Sequence, residues 1–260
     1  MSVQSHLNYK IPSQFSIQDV SLLRPFHWLS KGWRDLIHNP AASLAHGLIV
    51  TAIFLIALLI TSRHVYVLAA VISGFMLIGP IMAAGLCEVS RQRQKESPVS
   101  FDSSLNGLSR NQTALIRFAS MLLGFSVLWF FLSALVLLAT VGNVAPALSE
   151  TLWGDFFAVV APMQLALYLI VGGLLACLVY VMSVVSVPAI IDNQITAMNA
   201  MIISIQVVVS NSLTMLVWAS LIVLLMGISL ATFLIGMIVI YPLLGHASWH
   251  AYRDLVKNND

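Results

Sequence analysis

The sequence predicts an all-α polytopic membrane protein of six transmembrane helices, arranged as three hairpins, each preceded by a short cytoplasmic interfacial amphipathic helix. Three observations carry that expectation. Hydrophobic residues make up 59% of the 260 and charged residues 8%, against roughly 45–50% and about 25% in soluble domains. Several apolar runs reach the ~20 residues that a helix needs to cross a bilayer. Lysine and arginine gather in a few patches between those runs, as topology-setting loops do.

The first residues, 1–19, are polar and mixed and read as a flexible cytoplasmic N-terminus. They show no apolar core ahead of a small-residue cleavage site. Residues 20–258 read as a single membrane domain. Val20–His38 places Leu22, Phe26, Leu29, Trp33, Leu36 and Ile37 at helical spacing, with Pro25 near its first turn. Arg24, Lys31, Arg34 and Trp28 fill the rest of its surface. A basic, tryptophan-bearing helix beside a span is expected to lie in the membrane interface, against anionic headgroups.

The first span, 41–61, is followed by only "SRH" (Ser62–His64), so the second, 65–87, must return as a tight hairpin. The charged stretch Glu88–Arg110 reads as a solvated loop touching headgroups, ahead of the third span, 113–141. Gly142–Phe156 holds no Lys or Arg, as a translocated loop should, and the fourth span follows at 159–190. The last apolar run, Leu213–Gly245, is divided at "LMGIS" (Leu225–Ser229) by a glycine turn into spans 212–227 and 229–247. With six spans, every Lys and Arg except Arg63 falls on one side, which puts both termini in the cytoplasm.

The spans rhyme. "GWRDLIHN" (Gly32–Asn39) before the first apolar run matches "AYRDLVKN" (Ala251–Asn258) after the last. Asn39, Asn111 and Asn211 each stand just before an outward span, where an Asn side chain can cap a helix start. Pro80, Pro188 and Pro242 mark the returning spans. This predicts an internal repeat of entry helix, span out and span back, with "AYRDLVKN" as a fourth entry helix.

Chemistry is sparse. His246 and His250 are four apart, so on a helix they share a face, and with His46 they form a candidate metal site. Trp249, Tyr252 and Arg253 beside them read equally as interfacial anchors. No ionisable group lies at a span centre, which disfavours ion-coupled transport. No nucleotide loop, catalytic triad or paired carboxylates are present, so an enzyme is not expected. Cys87 and Cys177 read as packing residues, and a net charge of +2 gives no reason to expect a nucleic-acid partner. Arg34, Asp35, Arg253 and Asp254 are expected to pair with neighbouring cytoplasmic helices.

Three stretches, "GWRDLIHNPAASLAHGL", "VISGFMLIGPIMAAGLCEVSR" and "YPLLGHASWHAYRDLV", resemble the bacterial membrane family called domain of unknown function 2189, over Phe26–Val256. The resemblance implies an uncharacterised protein of the proteobacterial inner membrane. Some members are labelled cytochrome c oxidase subunits. A catalytic haem–copper subunit resembles a twelve-helix bundle with several deep histidines, so that label suits this chain only as an accessory. The leading expectation is a non-enzymatic membrane protein without a cofactor, acting as a scaffold or passing a small solute. Its partners would be the lipid bilayer, anionic headgroups and a homo-oligomer or membrane complex. The alternative is an accessory or assembly protein of a respiratory oxidase, contacting haem or copper through His46, His246 and His250.

Overall fold

A proline inside a helix leaves the carbonyl four residues earlier without its partner, and the central helix of this protein carries one. The computed structural model describes residues 14–61, 79–141 and 162–259. In chain order these form β1 (Phe15–Ile17), α1 (Arg24–His38), α2 (Pro40–Thr61), α3 (Ala84–Gln94), α4 (Phe101–Ser109) and α5 (Gln112–Val141). After residue 161 come α6 (Pro162–Ser183), α7 (Ser186–Asn193), α8 (Ala197–Ser210), α9 (Ser212–Ala231), α10 (Met237–Leu255) and β2 (Val256–Asn258).

Four helical stretches among the described residues are long and apolar enough to span a membrane: Pro40–Ile60, Gln112–Val136, Ala166–Asn193 and Ser212–Ala231. They coincide with the first, third, fourth and fifth expected spans. The second, 65–87, falls largely outside the described residues. What is described of it is helical at 79–82, turns at Ala83 and continues as α3.

The last hairpin differs from the expectation. Gly227 lies inside α9, where a glycine costs about 1 kcal/mol relative to alanine and is tolerated. The chain turns instead at 232–236, where Phe233 and Leu234 take left-handed backbone angles (φ 51° and 69°). There the Thr232 hydroxyl accepts the Gly236 N–H at 3.0 Å. The sixth expected span, 229–247, thus falls on this turn and the first part of α10, which is apolar at its start and polar from His246 onward. It does not qualify as a candidate span.

Short helices meet long ones at the three asparagines. Asn39, Asn111 and Asn211 separate α1 from α2, α4 from α5 and α8 from α9. At each, the asparagine carbonyl accepts the N–H four residues on, from Ser43, Leu115 and Met215 at 3.1, 3.0 and 2.9 Å. The fourth span bends at Val184–Val185, between α6 and α7. Pro188 explains the position, because its ring displaces the carbonyl of Val184.

α10 packs against α1, α2, α3, α7 and α9. Pro242 has no N–H to offer the Ile238 carbonyl, and α2 lies directly over that group. A Cβ on Gly47 would stand 2.1 Å from the Ile238 oxygen. Further along, α1 runs antiparallel to α10, and a Cβ on Gly32 would be 2.8 Å from the Ala247 nitrogen. The closing "AYRDLVKN" is thus no separate entry helix. It is the end of α10 and β2, and it lies against the helix that bears its counterpart. β2 pairs antiparallel with β1, Ile17 opposite Val256 and Phe15 opposite Asn258. Phe15 is buried. The described part of the expected flexible N-terminus is therefore tied down.

Two packed clusters hold these elements together. The larger joins Trp28, Phe118, Ile190, Ile191, Ile203, Trp218, Trp249 and Tyr252, and the smaller gathers Val50, Phe54, Leu86, Met237 and Tyr241 between α2, α3 and α10. Trp28 and Trp218 meet edge-on at 5.7 Å. Gly47→Ala should therefore push α2 off α10. We expect a loss of about 1–3 kcal/mol, read as a lowered melting midpoint in detergent. Gly124→Ala, with nothing within 4 Å of the added carbon, should leave the midpoint unlowered, or raise it slightly through the better helix propensity of alanine.

Candidate functional site

Polar residues from α1, α2, α3 and α10 converge on one buried carboxylate, Asp35. Its Oδ2 accepts from the Ser90 hydroxyl at 2.6 Å and from His250 Nε2 at 2.8 Å, and its Oδ1 accepts from Arg93. Helical spacing brings two of these donors to it. Ser90 and Arg93 are three apart and share a face of α3. His246 and His250 share a face of α10.

The network continues inward. Ser90 Oγ is 2.8 Å from His246 Nδ1, and His246 Nε2 is 2.9 Å from the Ser43 hydroxyl, which also reaches the Asn39 carbonyl at 2.8 Å. Proton counting fixes the order. Ser90 spends its only proton on Asp35, so His246 Nδ1 must carry a hydrogen and donate to Ser90. Neutral His246 then accepts at Nε2 from Ser43. The Asn39 carbonyl keeps the Ser43 N–H in either case. Asp35 to Ser43 is thus one unbroken chain of satisfied groups, with the tautomer assigned by its partners.

Asp35 is pulled in two directions. Burial pushes its carboxyl up, but hydrogen bonds from His250 and Ser90, with the nearby imidazoles, outweigh it and hold the group below the ordinary carboxylate range. Asp254, its counterpart in the matching motif, behaves alike. Burial raises it, and Arg24 and Trp28, donating at 2.7 and 2.8 Å, bring it below the ordinary value.

Other carboxylates are paired as well. Glu88 receives a two-pronged bond from Arg91, both arms 2.7 Å, with Gln92 at 3.0 Å and Arg110 at 3.7 Å. Asp192 accepts from Tyr252 and Arg253, each at 3.0 Å. Burial first, then the Asp192 charge, raises the Tyr252 phenol well above its usual value. The stretch from Glu88, expected as a solvated loop, is a buried helix through Gln92. The Glu88/Arg91 spacing was its one legible sign, since residues three apart on a helix face the same way.

The predicted site residues divide as follows. Trp28, Trp249 and Tyr252, expected to contact lipid, are each at most 1% exposed. They are core residues, because α1 and α10 bury them against each other and against α7 and α9. Arg24 and Arg253, also expected at lipid, are half-buried or exposed and bonded to carboxylates. Trp33 and Arg34 are exposed and Lys31 is half-buried. Asp35, Arg253 and Asp254 pair as expected. Arg34 has no carboxylate partner among the described residues. Asn111 Oδ1 accepts from Ala114 at 3.4 Å, a weak cap of its own helix. Asn211 instead turns its amide to the chain start, accepting from Val20 and donating to the Gln18 carbonyl. The Asn39 amide reaches back to Asp35 O at 3.4 Å.

The three candidate metal ligands do not share a point. His46 Nδ1 faces the Ala42 carbonyl at 2.9 Å, and its Nε2 lies over Gly85, 3.4 Å from Ser104. His246 spends both nitrogens on serines, and His250 turns Nε2 to Asp35. Among the described residues no group of three or more His, Cys, Asp or Glu is placed to hold a metal ion. The haem- or copper-contacting cluster expected from the spacing therefore finds no common centre here. Sequence reasoning missed Ser43, Ser90 and Arg93, which no motif announced.

A pH dependence follows from the two depressed carboxyls. Each contributes stability that is complete above its unfolded pKa of about 3.9 and lost as pH falls through its lower folded value. The melting midpoint in detergent should therefore fall below about pH 4. Asp35→Asn should weaken that fall. At pH 7 it should cost about 2–3 kcal/mol, because Arg93 loses its charge partner and His250 its carboxylate acceptor.

Outside comparisons agree on class and go no further. No curated protein and no solved structure matches the chain. The resemblance noted over Phe26–Val256 is carried by a family model over residues 67–192, from the second expected span to the end of α7. That model is described as DUF2189, predicted integral membrane protein, and it is residues 67–192 of the chain that match this family.

Proposed function

We propose that the protein is a non-enzymatic scaffold of the bacterial inner membrane, working through association of its spans. One observation carries this reading. The buried polar groups around Asp35 are committed to one another, whereas the spans offer long uncovered apolar faces. In the most apolar window of α5 only 17% of residues are buried, against 56% in the α6–α7 stretch. Phe131 and Leu135 on α5 and Leu59 and Ile60 on α2 are largely exposed. Those faces meet lipid or another helix. Close helix–helix packing is the way a membrane protein without a reacting centre acts on partners.

The same reading sets both termini in the cytoplasm, with three hairpins as the unit. Supporting it are the one-sided Lys and Arg distribution and the like geometry of the three asparagine joints. The exposed row Leu22, Phe26, Trp33 and Ile37 on α1 supports an interfacial position for that helix. Small-solute passage is the competing role, and one pair of measurements separates the two.

A photo-crosslinking amino acid at Phe131 or Leu135, activated in native membranes, should give a discrete protein adduct, a second copy of the chain included. Purified protein in liposomes should then release small solutes no faster than empty vesicles. Lipid adducts alone, together with rapid solute release, would replace the scaffold with a pore.

A further inference from the structure

Beside Asp35 the buried network opens to the surface. A cleft of about 260 Å³ is lined by Lys31, Arg34 and Asp35 of α1, Arg93 and Gln94 of α3, and His250 of α10. Three cations face a single carboxylate there. That carboxylate is already taken by Ser90, His250 and Arg93, so it offers little to neutralise Lys31 or Arg34. Neither has a carboxylate within ion-pair distance among the described residues. Arg93 gives one N–H to Asp35 and, with five donors in all, keeps others for the cleft. The surplus positive charge is felt nearby. Burial first, and then the charges of Lys31, Arg24 and Arg34, hold the His27 imidazole below its usual value.

We propose that this cleft binds a phosphate group. The donor set is the one that recognises phosphate: a flexible ammonium, two guanidiniums and an amide, around a space of the right order for one such anion. Asp35 serves the site indirectly, since its bond orients Arg93 towards the opening. The cleft also lies beside the exposed row Phe26, Trp33 and Ile37 on the same helix. A lipid phosphate could therefore sit in the cleft while its acyl chains run along that row. A soluble phosphate would use the cleft alone. The chemistry is shared and the source is a matter for experiment.

The full chain, purified in an uncharged detergent, is titrated separately with phosphatidylglycerol, phosphatidylcholine, glycerol 3-phosphate and inorganic phosphate. Native mass spectrometry reads adducts, and the shift in melting midpoint reads affinity. Saturable binding of at least one anion, in preference to phosphatidylcholine, is expected. Lys31→Gln with Arg34→Gln should weaken it by roughly tenfold or more, each surface cation contributing severalfold. Lys257→Gln, an exposed cation on β2, should leave it unchanged. Lys31→Arg with Arg34→Lys should retain most of it. Phosphatidylglycerol binding without glycerol 3-phosphate binding would name a lipid as the source, and equal binding of the small anions a soluble ion. If the double variant fails to melt cooperatively, Arg34→Gln alone replaces it, with a severalfold loss expected. Absence of any anion binding, or an unchanged affinity in the neutralised variant, would overturn the proposal.

Discussion

The Asp35 carboxylate is the constraint on which the polar end of this molecule depends. A charge removed from water costs several kcal/mol unless it is paired and hydrogen-bonded. Asp35 is 5% exposed, so α1 can dock on α10 only in a register that brings His250, Ser90 and Arg93 to it together. That requirement fixes three helices at once. α1 supplies the acid, α10 one donor and α3 the other two. The packing agrees with the electrostatics, because Gly32 lets α1 approach the α10 backbone beside the same network. Were Gly32 larger, His250 would be held away from Asp35.

A second constraint acts deeper. Pro242 strips the Ile238 carbonyl of its helical partner, and Gly47 gives α2 the room to cover it. Each defect is tolerable because the other exists. Polar satisfaction at one end of α10 and close backbone packing at the other therefore leave that helix little freedom to shift. The apolar helices around it are less constrained. Their exposed faces are what a bilayer or a partner helix has to cover.

Much of this was legible in the sequence, and the failures have physical causes. The spans Pro40–Thr61 and Gln112–Val141 follow from uninterrupted apolar length, which in a membrane chain decides nearly everything. The bend before α7 follows from Pro188. The asparagine joints were visible as a pattern, although only Asn111 turns its side chain to its own helix. The turn at 232–236 was hidden, because Phe233 and Leu234 occupy the left-handed positions where glycine is the usual signal. α1 was read correctly as a helix with one apolar row, and Trp28 lay off that row. Sequence spacing could not say that Asp254 would come to the Trp28 indole from 226 residues away. The same limit hid the Asp35 network, whose bond to His250 spans 215 residues.

The two copies of Arg-Asp show how far a short motif determines its own fate. Arg253 finds Asp192, while Arg34 finds no carboxylate among the described residues. Asp254 is held by Arg24 and Trp28 from the start of α1, and Asp35 by His250 from the end of α10. Each motif thus sends its acid to the helix that carries the other. Neither acid can be satisfied until both ends of the chain have been made and brought together. Apolar spans can enter the bilayer one at a time, because their backbone bonds are internal. The polar end cannot close by such local steps. It closes only where α10 meets α1 and α2, and the pairing of β1 with β2 joins the same two ends of the chain in one register.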